Sequence, residues 1–258
     1  MINKSKVIFP SDSEELKNII SRACDLYNKA IASGAAFYTK FLSPSEAAAI
    51  MGRFPKNEIS LKLCGGYEEA ERCMCAFFTY EDDLAFPYAL VSLKSKAKNV
   101  TLSHRDYLGS VLALGIKRET LGDIIIRDNE ALIFCLEEIS DYIIDHLTKI
   151  GNTGVTAERI WEADSIEIKR DYDMVSATVS SLRCDAVIAS ALNIARSKAS
   201  ELIERGLVNL NYEQAKSVSA PVKDGDVISA RGYGKFKIQT DGHLTKKGRI
   251  HVNVCKYK

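Results

Sequence analysis

Apolar residues recur at every third or fourth position between residues 16 and 31, and Gly34 then interrupts the pattern. This spacing predicts a first amphipathic helix. A second helix is predicted after Ser43, because Glu46 stands three positions further on and completes a capping box. No polar cluster accompanies these helices, so residues 1–71 are predicted to form a small helical N-terminal domain.

The apolar pattern changes near residue 72 toward the alternation that is typical of strands. From Tyr88 onward, the predicted strands and helices follow the order β-α-β-β-α-β, which is the order of the ferredoxin-like fold and of RNA-recognition domains. Residues 72–173 are therefore predicted to form an RNA-recognition-like α/β domain. The strand that would carry stacking aromatics, residues 130–137, has Phe134 as its one aromatic residue, so packing is favoured over base stacking there.

The last third of the chain alternates short helices, turns and strands. Two helices are predicted between residues 183 and 206, and Ser197 is predicted to cap the second one. Strands follow, and the chain is predicted to end in a hairpin with a basic loop. Residues 174–258 are therefore predicted to form a third domain, and the whole chain is predicted to have an α+β fold.

The formal net charge of the chain is only +1, since 35 Lys and Arg residues stand against 34 Asp and Glu residues. The two signs are unevenly distributed. Residues 183–258 contain 14 basic and 7 acidic residues, a net charge of +7, which leaves −6 for the residues before them. An acidic body with a basic C-terminal part indicates a module that binds nucleic acid or another anionic surface.

The basic residues of this part collect around the predicted helix N-terminus at Ser197. Arg196 and Lys198 flank that residue, where free N–H groups and the helix dipole favour a phosphate group. The other basic residues that are predicted to extend this RNA-binding surface are Arg183, Arg205, Arg231, Lys235, Lys246, Lys247 and Arg249. Secondary RNA contacts are predicted at both ends of an earlier helix, at His104, Arg105, Lys117 and Arg118. The competing interpretation is that these charges are ordinary solvated surface residues.

The basic part also contains three longer motifs, at residues 181–188, 197–199 and 225–228. Together they resemble the αL RNA-binding domain, which is named after the fourth protein of the small ribosomal subunit. The same domain occurs on pseudouridine synthases and tyrosyl-tRNA synthetases. Tyr212 stands where the family pattern commonly has glycine, from which we expect a changed turn with little effect on the basic surface.

Further motifs occur at residues 102–109, 114–119, 178–183 and 246–249. With the αL motifs they resemble the YlmH-type bacterial proteins across nearly the whole chain. The resemblance implies an RNA-binding protein of the bacterial cytoplasm that is linked to cell division and to ribosome-associated quality control. It also implies that the partners are structured RNA, namely rRNA of the large ribosomal subunit and tRNA.

The residues themselves do not favour catalysis, cofactor binding or membrane insertion. The four histidines are scattered, so no acid-base cluster and no catalytic residue are predicted. Cys64, Cys73 and Cys75 lack metal-binding spacing and are predicted to be core thiols, so no metal and no cofactor are expected. No apolar stretch approaches the length of a membrane span, and the chain is expected to be cytoplasmic. Two alternatives stay open: an RNA-modifying enzyme, and a scaffold whose acidic body binds a protein partner.

Overall fold

The structure is a computed structural model, and the stretches of the chain that it describes are residues 1–81, 84–97, 100–161, 172–245 and 248–257. The chain divides into two units, Met1–Ile168 and Lys169–Lys258. Each unit has hydrophobic cores of its own. Within the described stretches, no helix combines the length and the apolar character that crossing a lipid bilayer requires.

Two helices open the first unit, and a serine caps each of them. Helix α1 spans Glu14–Ser33, and the hydroxyl of Ser13 accepts an N–H of its first turn. Helix α2 spans Pro44–Arg53, and Ser43 and Glu46 form the predicted capping box. Both helices bury their apolar faces in one core, as their helical spacing predicts.

A three-stranded antiparallel sheet packs against the same core. Its strands are β1 (Phe37–Tyr38), β2 (Ser60–Cys64) and β3 (Met74–Phe78), in the order β1-β3-β2. The two predicted helices are present, but the prediction of a helical N-terminal domain left out this sheet. β1 has only two residues, and every residue of β2 is partly or fully exposed, so neither strand shows a clear apolar period. β3 lies beyond residue 72 but pairs with both other strands, so this sheet crosses the predicted boundary.

The rest of the first unit is a five-stranded antiparallel sheet with two helices on one of its faces. Its elements are β4 (Tyr88–Ser95), α3 (His104–Ala113), β5 (Leu121–Arg127), β6 (Glu130–Leu136), α4 (Glu137–His146), β7 (Lys149–Ile150) and β8 (Thr153–Ile160). The strands stand in the order β5-β6-β4-β8-β7, so β4 lies at the centre. The predicted order of strands and helices is present, with the two-residue β7 as an addition.

The other face of this sheet is covered by the N-terminal part of the same unit. Phe41 and Met74 pack there against Leu90 and Phe134, and all four side chains are at most 1 % exposed. Tyr67 stacks on Phe134 with a ring-centroid distance of 5.4 Å. The prediction that Phe134 packs in the core is confirmed, and aromatic side chains from the first 80 residues help to bury it.

The second unit is a six-stranded antiparallel sheet with two helices packed on one face. Its elements are β9 (Tyr172–Val179), α5 (Cys184–Leu192), α6 (Arg196–Glu204), β10 (Val208–Leu210), β11 (Glu213–Gln214), β12 (Val227–Ala230), β13 (Gly234–Gln239) and β14 (Ile250–Tyr257). The strands stand in the order β11-β10-β12-β13-β14-β9. The predicted C-terminal hairpin is present as β13 and β14, whereas β9, which pairs with the whole of β14, is absent from the prediction.

Candidate nucleic-acid interface

Helix α6 presents its N-terminus at the surface of the second unit. It begins at Arg196, and Ala195 occupies the N-cap position. The prediction that Ser197 caps this helix is wrong, because Ala195 already has the extended backbone of a cap and Ser197 lies in the first turn. Among the described residues, no side chain accepts a hydrogen bond at this cap. The N–H of Lys198 donates to the carbonyl of Ala195 at 3.0 Å, so the N–H groups that can meet an anionic ligand are the first two of α6, those of Arg196 and Ser197.

Asp185, in the first turn of α5, holds two arginines next to that terminus. Its carboxylate accepts hydrogen bonds from Arg183 Nε at 3.1 Å and from Arg196 Nε at 2.9 Å. The Asp185 side chain is 5 % exposed, whereas those of Arg183 and Arg196 are 44 % and 50 % exposed. We call these three residues the Asp185 clamp, because one buried carboxylate fixes two guanidiniums that still face water.

The electrostatics of the Asp185 clamp favour its charged form. Burial alone would raise the pKa of Asp185, but hydrogen bonds from Arg183 and Arg196 outweigh burial, and the pKa lies below its ordinary value of 3.8. The hydrogen bond to Asp185 likewise raises the pKa of Arg183. Asp185 therefore stays ionised at neutral pH between two arginines, and the Asp185 clamp carries one net positive charge.

Replacing Asp185 with asparagine is expected to lower the free energy of unfolding by about 1–2 kcal/mol at neutral pH. Water partly screens the half-exposed guanidiniums, which keeps the loss below that of a fully buried ion pair. Because the folded pKa is the lower one, the contribution of Asp185 is present above pH 3.8 and is lost as the pH falls toward the folded value. Urea unfolding at neutral and acidic pH measures this, with the exposed Glu204→Gln as the control. A loss that does not shrink at acidic pH would contradict the assigned ion pairs.

A second pair of cations lies along α6. Glu201 accepts hydrogen bonds from Lys198 Nζ at 2.9 Å and from Arg205 Nη1 at 3.1 Å. Lys198 follows Arg196 by two positions, and residues two positions apart point to different sides of a helix. The structure therefore places the predicted cations of α6 in two separate groups rather than in one cluster.

The other predicted cations of the second unit lie elsewhere. Arg249 donates to a backbone carbonyl at the end of β9 that leads into α5. Arg231 is exposed in the turn between β12 and β13. Lys235 lies in β13 on the sheet face opposite the helices, since the alternate residues of that strand are buried in the core with them. The predictions for Lys246 and Lys247 lie outside the described residues.

The four predicted secondary contacts do not form one site. His104 and Arg105 begin α3 and Lys117 follows its end, so the length of that helix, about 15 Å, separates them. Arg118 is half-buried and donates from Nη1 to the carbonyl of Leu121 at 2.8 Å. Burial, with a second arginine nearby, lowers the pKa of Arg118 to about 10. The contacts of Arg118 support the local fold, and RNA contact by the other three residues stays a prediction.

All seven cysteines are free thiols, and five of them are buried. Burial raises the pKa of Cys73 and Cys75 to about 12, so both thiols stay protonated at neutral pH. Cys75 is the core thiol that the sequence predicts, whereas Cys64 and Cys73 are half-buried. In the parts of the chain that the structure describes, no group of three His, Cys, Asp or Glu side chains is placed to hold a metal ion.

Asp185 is the residue of this site that sequence reasoning missed. In the sequence, Asp185 looks like an ordinary acidic residue in the first turn of a helix, where a carboxylate commonly stabilises the helix dipole. Its ion pair with Arg196, eleven positions further on, depends on how α5 packs against α6. The signal that could have found it is a single acid in an otherwise apolar helix, with an arginine on either side in sequence.

Three family models match consecutive parts of the chain. The model for the N-terminal part of YlmH matches residues 15–79, the model for the RNA-binding domain in YlmH matches residues 81–164, and the S4 domain model matches residues 182–228. The S4 match contains α5 and α6, and with them the Asp185 clamp. The chain is thus a protein with an RNA-binding domain and a C-terminal S4 domain.

The similarity to individual proteins identifies the family of this chain. The "Ribosome-associated protein quality control protein P2" of Bacillus subtilis (strain 168) is 30 % identical over 223 residues, which are 85 % of this chain and 87 % of that protein. The chain belongs to the YlmH family, so the resemblance that its motifs indicated is confirmed. A solved structure, "Cell division protein ylmH from Streptococcus pneumoniae", aligns with a TM-score of 0.45 and 20 % identity over 62 % of this chain and 99 % of that one.

Proposed function

We propose that this protein docks on structured RNA through its second unit and performs no catalysis itself. The Asp185 clamp carries the proposal, because it fixes two half-exposed guanidiniums beside an open helix N-terminus. The net charge of +7 on residues 183–258 adds a long-range attraction for phosphate groups. Shape then selects the RNA, since side chains do not reach the bases in the deep groove of an A-form helix.

The proposed RNA is rRNA of the large ribosomal subunit, tRNA, or both, bound during ribosome-associated quality control or in a role linked to cell division. The name of the Bacillus subtilis relative supports the first role, and the match to it covers 85 % of this chain. The family resemblance of the motifs supports the second. Both roles place the protein in the cytoplasm, and we include that location in the proposal.

We further propose three domains, with boundaries near residues 80 and 173. The first boundary is moved from residue 72 because β3 pairs with β1 and β2. The central domain has the ferredoxin-like strand order, since its four main strands stand as β5-β6-β4-β8. Phe41 and Met74 cover the face of its sheet, so an RNA contact of this domain would use the exposed Arg105 and Lys117 instead.

Replacing Arg196 and Lys198 together with alanine tests the proposal. We expect the affinity for tRNA to fall by about tenfold or more. The slope of log affinity against log salt concentration is expected to fall by about two, because each of the two cations neutralises one phosphate group. Fluorescence anisotropy with purified bacterial tRNA at several salt concentrations measures both quantities.

The matched control removes two cations from the first unit. Lys17 and Arg22 lie on α1, and Lys17 pairs with a glutamate three positions away, as Lys198 does. The double variant Lys17→Ala with Arg22→Ala changes the net charge equally but is expected to leave the affinity within about twofold. Equal losses of tRNA affinity in the two double variants would show that overall charge, and not this surface, causes the effect. An unchanged affinity and salt slope after replacing Arg196 and Lys198 would refute the assigned surface.

A further inference from the structure

A two-residue turn, Asn211 and Tyr212, joins β10 to β11, and its φ angles are 50° and 69°. Two positive φ values in such a hairpin loop are those of a type I′ turn, whose second position glycine usually occupies. The expectation of a changed turn at Tyr212 is therefore wrong, because the tyrosine has adopted the conformation that glycine would take. A side chain with a Cβ atom is strained there.

Asn211 holds this turn in place. Its side chain donates to Asp226 Oδ1 at 2.9 Å and accepts the N–H of Val227 at 2.9 Å. Its backbone N–H donates to the carbonyl of Val227 at 2.7 Å. These contacts fix the turn to β12, and none of them involves the Tyr212 ring. Tyr212 thus keeps a strained conformation in a turn that Asn211 already holds in place. Strain that the fold does not need points to a function of the tyrosine side chain.

The Tyr212 ring belongs to a group formed by Lys235 and three tyrosines. Lys235 Nζ lies 4.6 Å from the ring centroid of Tyr212 and 4.8 Å from that of Tyr257. Tyr172 meets Tyr257 edge-on, with 5.1 Å between the ring centroids. All four residues are partly exposed. We call them the tyrosine–lysine cluster.

The tyrosine–lysine cluster is separate from the Asp185 clamp. Tyr172 begins β9 and Val179 ends it, so about 23 Å of strand lie between the cluster and the end that leads into α5. Lys235 also lies on the sheet face opposite α5 and α6. Met174, two positions after Tyr172 and on the same face of β9, is 56 % exposed. Aromatic, apolar and cationic surface therefore meet at one place, away from the Asp185 clamp.

We propose that the tyrosine–lysine cluster is a second RNA contact, which takes an unpaired nucleobase. The base stacks on the Tyr212 ring, and the Lys235 ammonium contacts the adjoining phosphate. Bases inside an A-form helix are stacked on each other and out of reach, so the base comes from a loop or a strand end. This inference rests on the proposed RNA-binding function and adds which part of the RNA is held.

Replacing Tyr212 with glycine separates this role from a structural one, because the two roles predict opposite results. Glycine relieves the left-handed strain, so we expect the midpoint of thermal unfolding to stay unchanged or to rise. The affinity for an RNA hairpin with an unpaired loop is expected to fall about 5- to 150-fold, the range for removal of one base–aromatic stack. The affinity for a blunt RNA duplex is expected to change by less than about twofold.

Two further variants serve as controls for this experiment. Tyr212→Phe keeps the ring and is expected to keep the affinity for the loop RNA. Tyr80→Gly makes the same substitution at a 67 % exposed tyrosine of the first unit and is expected to leave both affinities unchanged. If Tyr212→Gly lowers the unfolding midpoint but leaves the affinity for the loop RNA unchanged, the Tyr212 ring has a structural role and the proposal is overturned.

A fluorescent purine analogue in the RNA loop gives a readout that needs no folded variant. Stacking on a tyrosine ring quenches such a base, so we expect binding of the unaltered chain to lower its fluorescence. Binding without quenching would overturn the proposal. If the unaltered chain binds neither the hairpin nor the duplex, the proposed RNA-binding function itself fails, and the proposed contact fails with it.

Discussion

A chain shortened to residues 1–168 is expected to bind tRNA at least about a hundredfold more weakly than the full chain. The shortened chain lacks the Asp185 clamp and all of α6, and it carries a net charge of −6, against +7 for residues 169–258. Its central sheet offers no substitute surface, because the N-terminal part covers the face on which RNA-recognition domains stack bases. A fragment of residues 169–258 is expected to keep most of the affinity of the full chain.

Anisotropy with tRNA at one fixed salt concentration measures the two fragments and the full chain. Circular dichroism and a thermal melt of each fragment check that it is folded, as expected for units with separate hydrophobic cores. Strong tRNA binding by folded residues 1–168 would move the RNA site to the first unit. A protein partner that binds residues 1–168 as well as it binds the full chain would support the scaffold alternative.

Replacing Phe134 with alanine is expected to lower the free energy of unfolding of the first unit by about 3–5 kcal/mol. The Phe134 ring is fully buried, with the rings of Tyr67 and Tyr88 at 5.4 and 5.9 Å between centroids. Gly66 and Gly122 lie so close that a Cβ atom on either would come within 3 Å of Phe134. This tight packing leaves a cavity when the ring is removed, because the surrounding backbone cannot close around it.

Urea unfolding measures this loss, and tRNA binding at a temperature where the variant is folded measures the functional effect. We expect the tRNA affinity to stay within about twofold, because Phe134 supports the N-terminal contact and touches no solvent. Phe9, which is 44 % exposed in the same unit, provides the matched Phe→Ala control, with an expected loss below about 1 kcal/mol. If Phe134→Ala instead leaves the stability unchanged and weakens RNA binding, Phe134 stacks on a base rather than packing in the core.

Short-range patterns made part of the fold predictable. The capping box at Ser43 marks the start of α2, because the two partners of a box lie three positions apart. Strand β9 could not be found in this way. Its pairing partner lies at least 71 positions later, and four of its residues are exposed, so no local apolar pattern marks it.

The candidate site shows the same division between local and distant signals. A local excess of positive charge was enough to select Arg183 and Arg196. Their arrangement was not predictable, because it depends on a buried Asp185 and on the packing of α5 against α6. The predicted cap at Ser197 failed for a related reason: side-chain preference favoured serine, whereas the backbone of the α5–α6 connection had already placed Ala195 at the cap.

The carboxylates that hold the cations of α5 and α6 have a consequence for selectivity. Arg183 and Arg196 already face Asp185, and Lys198 and Arg205 already face Glu201. An incoming anion therefore shares each of these cations with a carboxylate that stays in place, so a single weak negative charge gains little. Only a ligand that brings several closely spaced negative groups at once gains enough to bind. The surface therefore selects ligands by their density of negative charge. A folded polynucleotide has the required density, whereas the scattered acidic side chains of other proteins do not.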